Sequence, residues 1–466
     1  MKFQSFSNLN AYNTGKLAAL EEPAQGDPSL LKVFQHALSY AANGFSEKLI
    51  KDRLYLPEPL LGAYYTLRKA GSRQKMLKNP KPGARILILE PGIETKGREG
   101  KTESYYFSLL KREFPTSAWL SLSTRDHCPY PVDLNISDLQ AYSFIAPDSR
   151  ELKLRRSIQR RLRQAERSGF TREEMAYARS AMHIFFEEYH RWYQFLKEHR
   201  FEACFFITHY HKEGIIAALN DHGISSVEFQ HGLISENDLY YVYPQALKAQ
   251  IKGAFFPEYQ LLFGPYWMNI LSKGAEFSLS QTHVVGDYTG HKFREEKAVG
   301  EKENFILIAA QKNMGDAYIP YAENLLGRIE KQYPDWTVGL KLHPLEKDAR
   351  AYEVLKKHPH FRLYGNDSDL SELLRRAKIQ ISIYSTTFYD ALGLGTLNLS
   401  LQEYSSSADY AASMVKDNIA WPLYVYEDPI ETYGRFVEMG LTMPRRESIY
   451  APFERSVLFK ILNSHE

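Results

Sequence analysis

The sequence predicts an α/β protein built from two parallel-sheet domains. Short apolar runs bounded by Gly or Pro alternate with segments of helical periodicity, the pattern of parallel strands joined by crossover helices. At 466 residues the chain exceeds what one core holds, which favours two or three domains. A histidine follows an apolar run in each half, in Val227-Glu228-Phe229-Gln230-His231-Gly232 and in Lys341-Leu342-His343-Pro344. Ligands of open α/β sheets gather beyond the carboxyl ends of strands, so these two turns point to a cleft between two domains.

The elements follow in order. Residues 1–80 read as a helical N-terminal extension without a strand signal. Arg85 to Leu89 is a short apolar run between Gly83 and Pro91, as expected of a buried parallel strand. A glycine-bearing loop, Pro91 to Lys101, then leads to a helix near Glu103 to Arg112. Leu154, Ile158 and Leu162 recur at four-residue intervals, and the aromatic-rich Met182 to Leu196 continues the helical pattern. Strands are expected at 203–207, 226–229 and 259–263, with a helix over 212–220 between the first two. Past Gly264 the alternation restarts, with strands at 283–285, 305–309, 337–342, 379–384 and 397–401. The boundary falls within 265–290, giving domains over 81–270 and 271–450 and a C-terminal helix within 451–466.

Composition bounds the function. Net charge is +2, from 58 basic and 56 acidic residues, so no global field draws the chain to nucleic acid. Cys128 and Cys204, the two cysteines, have no metal-ligand spacing and fit a reducing cytoplasm. Met1 to Leu20 lacks the apolar run of a secretory signal, and no window approaches the roughly 20 apolar residues of a membrane span. A cytoplasmic protein is expected. Its 32 Tyr and 26 Phe are accounted for by aromatic cores. Leu152 to Arg167 carries seven basic residues beside Glu151 and Glu166, and a basic amphipathic helix can rest on the inner face of an anionic membrane.

Several residues could carry chemistry. A neutral His231 can take a proton from a sugar or polyol hydroxyl. Gln230 and Gly232 flank it, and the loop with Ser235, Asp238, Tyr240 and Tyr241 follows. Pro344 cannot continue a ladder, so it stops its strand and leaves Lys341 and His343 where they could offset a departing phosphate, with Glu346 in reach of a ribose. Ser385, Thr386 and Thr387 lie where a strand runs into a helix, and hydroxyls with helix N-terminal amides make an anion site. Gln311, after the 305–309 strand, would project from the same sheet edge. Glu94 lies in the Pro91 to Lys101 loop as a cleft contact. Gly97-Arg98-Glu99-Gly100-Lys101-Thr102 imitates a phosphate-binding P-loop but has Thr95 where the first glycine is required. His209-Tyr210-His211 has a metal-like alternation without a third ligand, so no metal is expected and His209 is placed among the cleft residues.

The order of these motifs resembles that of bacterial surface-polysaccharide glycosyltransferases of the GT-B fold. Val227 to Gly232, Tyr241-Val242-Tyr243-Pro244, Lys341 to Pro344 with Glu346, and Ser385-Thr386-Thr387 with Asp390-Ala391-Leu392 carry the likeness, over roughly residues 200–400. Sialyl-, Kdo- and glycerophosphotransferases share related His-Gly, His-Pro and Ser-Thr motifs. The resemblance implies two Rossmann-like domains facing a central cleft and a nucleotide-sugar donor as substrate, with no cofactor. It implies a glycan or lipid-linked acceptor, His231 as general base, and His343, Ser385 and Thr386 on the donor phosphate. Gln230 stands where the glycerophosphotransferases have Trp, which favours sugar transfer over glycerol-phosphate transfer. A sugar-nucleotide epimerase or hydrolase on the same fold, or a non-catalytic nucleotide- or glycan-binding protein, remains the alternative.

Overall fold

The computed structural model describes residues 6–20, 29–43, scattered positions between 60 and 77, 81–96, 101–251, 254–274, 280–290 and 301–463, except 237, 239, 313, 345, 347–348, 366–367 and 404–407. The chain forms two compact units. Residues 8–291 with 451–466 make the first, and residues 292–450 the second.

The first unit is a seven-stranded sheet in the order β5-β4-β1-β6-β7-β8-β9, and every pairing in it is parallel. Its strands are β1 (Ile86–Glu90), β4 (Trp119–Ser123), β5 (Leu134–Asn135), β6 (Ala203–Ile207), β7 (Ser225–Phe229), β8 (Tyr259–Leu262) and β9 (Thr282–Val284). The first strand lies inside the sheet and the order reverses beside it, so β1 and β6 flank a topological switch point. β2 (Glu94–Lys96) and β3 (Thr102–Ser104) form an antiparallel hairpin where a plain loop was expected. The P-loop imitation at 97–100 lies outside the described residues. The strand near residue 283 does not open the second unit. It pairs with β8, Gln260 opposite Thr282, after a seven-residue helix led by Pro265 at its first turn.

Helices α1 (Phe6–Ala18) and α2 (Leu31–Asn43) belong to this unit, and Leu31, Phe34 and Leu38 of α2 are buried in its core. Helices α3 (Ser149–Arg167) and α4 (Arg172–Glu198) each begin at a capping box, Asp148 with Glu151 and Thr171 with Glu174. α4 buries Phe185, Phe186, Tyr189, Trp192 and Phe195. α5 (Glu213–Asp221) packs so closely on α4 that a Cβ at Gly214 would lie 2.7 Å from the Phe185 carbonyl oxygen. The basic stretch within α3 is not wholly solvated. Arg155 and Arg161 are buried, because their positions face the core side of the helix, while Lys153, Arg156, Arg160, Arg163 and Arg167 form one exposed stripe. No helix among the described residues is long and apolar enough to cross a membrane.

The second unit is a six-stranded parallel sheet, β12-β11-β10-β13-β14-β15. It comprises β10 (Glu303–Ala309), β11 (Thr337–Lys341), β12 (Phe361–Tyr364), β13 (Ala377–Ser382), β14 (Leu397–Leu401) and β15 (Trp421–Leu423). This is a doubly wound order, reversing between β10 and β13. Ile306, Ile308, Val338, Leu340, Ile379 and Ile381 fill its core. Both domains are therefore parallel-sheet α/β, as the sequence predicts.

Candidate functional site

In the first unit, polar groups gather beyond the carboxyl ends of β6 and β7. Glu228 sits within β7 and is fully buried. A buried carboxylate requires partners. His209 Nδ1 bonds one oxygen and the Tyr241 hydroxyl donates to the other at 2.6 Å. Burial alone raises the Glu228 carboxyl, but His209 and Tyr241 outweigh it and hold it below its ordinary value. His209 Nε2 lies 2.8 Å from the Tyr240 carbonyl, to which it can only donate.

The turn after β6 passes through Thr208 at φ +54° and His211 at φ +61°. A β-branched residue in the left-handed region costs on the order of 1–3 kcal/mol and persists only where its surroundings over-determine it. Lys212 Nζ provides this, donating to the Thr208 carbonyl at 2.9 Å and to its hydroxyl at 2.8 Å. His36 of α2 stacks on His211 with ring centroids 4.2 Å apart and lies 2.9 Å from Glu213.

This frame positions His231. The Tyr210 hydroxyl stands 3.3 Å from His231 Nε2, and the Tyr106 hydroxyl donates to the His231 carbonyl at 3.4 Å. Burial pulls the imidazole down to about 4, partly offset by Glu228. The ring is neutral at physiological pH, a proton acceptor of low basicity. Beside Gly232 the space is open, since a Cβ there would meet nothing within 4 Å. On the following loop, burial raises the Asp238 carboxyl to about 7 although it accepts from Tyr240 N–H at 3.0 Å.

The second unit brings its expected residues to one sheet edge. Ala309 pairs with Lys341, and Ile308 with Ile381, so the exits of β11, β10 and β13 lie side by side. Gln311 Oε1 accepts from Tyr384 N–H at 3.3 Å and from the Tyr318 hydroxyl at 3.1 Å, which ties the two strand exits together across the switch point. Thr387 donates to the Ser385 hydroxyl at 2.9 Å, and Thr386 is exposed. Half-buried His343 is pulled down by burial and then by the positive charge of Lys312, with Glu346 opposing and Lys341 adding a smaller push in the same direction as Lys312. Glu346 N–H donates to the His343 carbonyl at 2.8 Å, closing the turn that Pro344 begins.

Some expectations need correction. Gln230 and His209 are completely buried and are not open to an acceptor. Gln230 instead clamps the turn, accepting from Phe263 N–H at 3.0 Å and donating to the Gly232 carbonyl at 2.8 Å. With both ring nitrogens committed, His209 orients Glu228 and is no metal ligand. Glu94 is exposed on β2, and the residue of that hairpin region that reaches His231 is Tyr106. Lys341 is buried, its Nζ donating to the Leu342 carbonyl at 3.2 Å. The hydroxyl cluster opens a helix of only five residues, Thr387–Ala391, so donor groups rather than a macrodipole define it. Glu228, Tyr210, Lys212 and Asp238 were missed as individual site residues. A carboxylate between two apolar residues at a strand end, Val227-Glu228-Phe229, was the available signal for the first.

No family model matches the sequence, and a search of curated proteins finds no match. Among solved structures, the chain is similar to MurG of Acinetobacter baumannii (10% identity, 82% of this chain and 99% of that one, TM-score 0.44). It is similar to a glycosyltransferase from Rickettsia africae (11% identity, 82% and 98%, TM-score 0.42). It is also similar to a UDP-GlcNAc 2-epimerase from Neisseria meningitidis bound to UDP-GlcNAc (12% identity, 81% and 99%, TM-score 0.47). Likenesses this distant decide nothing about chemistry, which rests on the chain's own residues.

Proposed function

We propose that this chain is a metal-independent, nucleotide-sugar-dependent glycosyltransferase of the GT-B type. One observation carries the proposal: Gln311 joins the exits of β10 and β13 at the point where the second sheet reverses its strand order, with Ser385, Thr386 and His343 on the same edge. Doubly wound sheets bind nucleotide phosphates at that point. Exposed Lys312 brings positive charge beside His343 for a diphosphate or monophosphate, opposed in part by Glu346.

His231 in the first unit accepts the proton of an acceptor hydroxyl as that oxygen attacks the anomeric carbon. The bond from carbon to the phosphate oxygen breaks, its electron pair leaves on the phosphate, and the anomeric centre inverts. The acceptor is a glycan or lipid-linked oligosaccharide of a bacterial surface polysaccharide such as capsule or lipopolysaccharide, following the motif order. The exposed stripe from Lys153 to Arg167 suits the anionic inner face of the plasma membrane.

The low basicity of His231 favours one second reading, a sugar-nucleotide epimerase or hydrolase using the same phosphate site. Melting the protein with CMP, CDP, UDP, GDP or ADP tests the donor site. A ligand at 100 times its dissociation constant stabilises by about 2.7 kcal/mol, and no shift with any of the five defeats the proposal. Incubation with the sugar nucleotide of the base that binds, without acceptor, separates the two readings, because an epimerase changes the sugar by itself.

A further inference from the structure

A single buried hydroxyl braces the switch point of the second sheet. Helix α6 (Gly315–Gln332) follows β10 and turns Tyr318, Tyr321, Ala322, Leu325, Leu326 and Ile329 into the core, a helical stripe in which an aromatic ring fits and a phenol is not required. Tyr318 is completely buried, so its hydroxyl costs free energy unless it is bonded. Ile383 N–H, just past the end of β13, donates to it at 3.2 Å. Ser382, the last residue of β13, has given its own hydrogen to the Ala309 carbonyl at 2.7 Å and can only accept. The one hydrogen of Tyr318 therefore faces two acceptors, Gln311 Oε1 at 3.1 Å and Ser382 Oγ at 3.2 Å. Burial lifts the phenol well above its ordinary value, so it keeps that hydrogen at physiological pH.

The consequence falls on the Gln311 amide. The Tyr384 backbone N–H can only donate, so the amide corner 3.3 Å from it is oxygen, and this is the same oxygen that takes the Tyr318 hydrogen. With Oε1 held inward by two donors, Nε2 is the outer corner of a partly exposed side chain beyond β10. The far side of the β13 exit is held as well. Ser400 of β14 donates to the Ile383 carbonyl at 2.7 Å, and the Thr387 N–H and hydroxyl both donate to Ser385 Oγ, at 3.2 and 2.9 Å. Every member of this frame is an uncharged group, so its geometry does not depend on which carboxylates or amines are ionised.

We infer that Tyr318 is the positioning residue of the donor site: by holding Gln311 Oε1 inward, it presents Nε2 to an oxygen of the donor's phosphate where the strand order reverses. The inference rests on the nucleotide-sugar reading of this unit and adds the group that sets one phosphate contact. Tyr318 itself touches no substrate. Without its hydroxyl the amide is held by the Tyr384 contact alone, and in the turned-over orientation it offers the phosphate an acceptor instead of a donor.

Calorimetric titration of the full chain with CMP, CDP, UDP, GDP and ADP selects the nucleotide that binds most tightly, and the variants are titrated with that one. Gln311→Glu keeps an oxygen for Tyr318 and for the Tyr384 N–H but replaces Nε2 by a second oxygen, and it lowers affinity about tenfold or more. Tyr318→Phe keeps the ring and lowers affinity about threefold to tenfold with unchanged circular dichroism. The double variant binds within about twofold of Gln311→Glu alone, because Tyr318 acts only through Gln311, whereas a residue that merely packs the core adds its own loss. If Tyr318→Phe does not fold, Gln311→Asn, whose shorter amide does not reach the Tyr318 hydroxyl, carries the same expected loss. Parental affinity in either single variant, or losses that add in full, overturns the inference and leaves the donor site standing. A parent chain that binds none of the five nucleotides overturns the donor-site reading and the inference with it.

Discussion

The Tyr210 hydroxyl stands 3.3 Å from Nε2 of His231 and nothing but backbone turn separates Tyr210 from the strained His211. Burial, followed by Asp238 and Glu228, raises the Tyr210 phenol far above its ordinary value, so it keeps its proton and donates to the imidazole. The ring is thereby held in orientation.

Replacing His231 by Ala should lower sugar transfer by about 10² or more while leaving the melting temperature within a degree or two of the parent, since positioned proton transfer contributes about 10²–10⁴. Rates near the parent's would remove His231 from the chemistry.

The pH dependence distinguishes His231 from its neighbour Asp238. A base works only when deprotonated, so activity is lost as pH falls through its pKa. With His231 lowered to about 4, kcat/KM should stay level from pH 8 to about 5 and fall only below that. An acid limb near 7 would instead identify Asp238, and Asp238→Asn would then abolish it.

Glu213 is predicted to stabilise the first unit in a pH-dependent way. Burial raises its carboxyl, but His36 and Lys32 overcome this and leave it far below its ordinary value. A folded-state pKa depressed in this direction adds stability that is complete above the unfolded value, about 4.3, and is lost as pH falls below it. Glu213→Gln should therefore cost about 3 kcal/mol at pH 7 in urea unfolding, and the difference from the parent should shrink below pH 4. A constant difference across that range contradicts the linkage.

Gly286 has φ +78°, and a Cβ there would lie 1.9 Å from the Pro452 carbonyl oxygen. Gly286→Ala should destabilise by at least about 2 kcal/mol and expose the C-terminal segment to protease before the rest of the unit. Parent-like urea midpoints and protease resistance would show that the segment yields cheaply.

The strands that the sequence displayed best are those buried on both faces, such as Ala203–Ile207, because covering helices make the whole run apolar. Trp119–Ser123, with Ser at alternate positions, and the short Trp421–Leu423 lacked that signature and were missed. In the second unit, Gln311, His343 and Ser385 were legible because strand exits advertise themselves by polar residues after apolar ones. The first unit's network was not, since it depends on α2, far away in sequence, delivering Lys32 and His36 to Glu213. Gln230 and His209 were taken for ligand contacts because a polar residue beside a strand end reads the same whether it faces solvent or braces the turn.

Asp287 N–H donates to the Ala451 carbonyl at 2.8 Å, Ala451 N–H to Phe263 at 2.7 Å and Glu454 N–H to Val285 at 2.8 Å. Residues 292–450, the second unit, are thus inserted between residues of the first unit that already touch. Splicing the flanks with a few glycines should yield a free-standing first unit, and the same two points offer ready sites for grafting a foreign nucleotide-binding module into this chain.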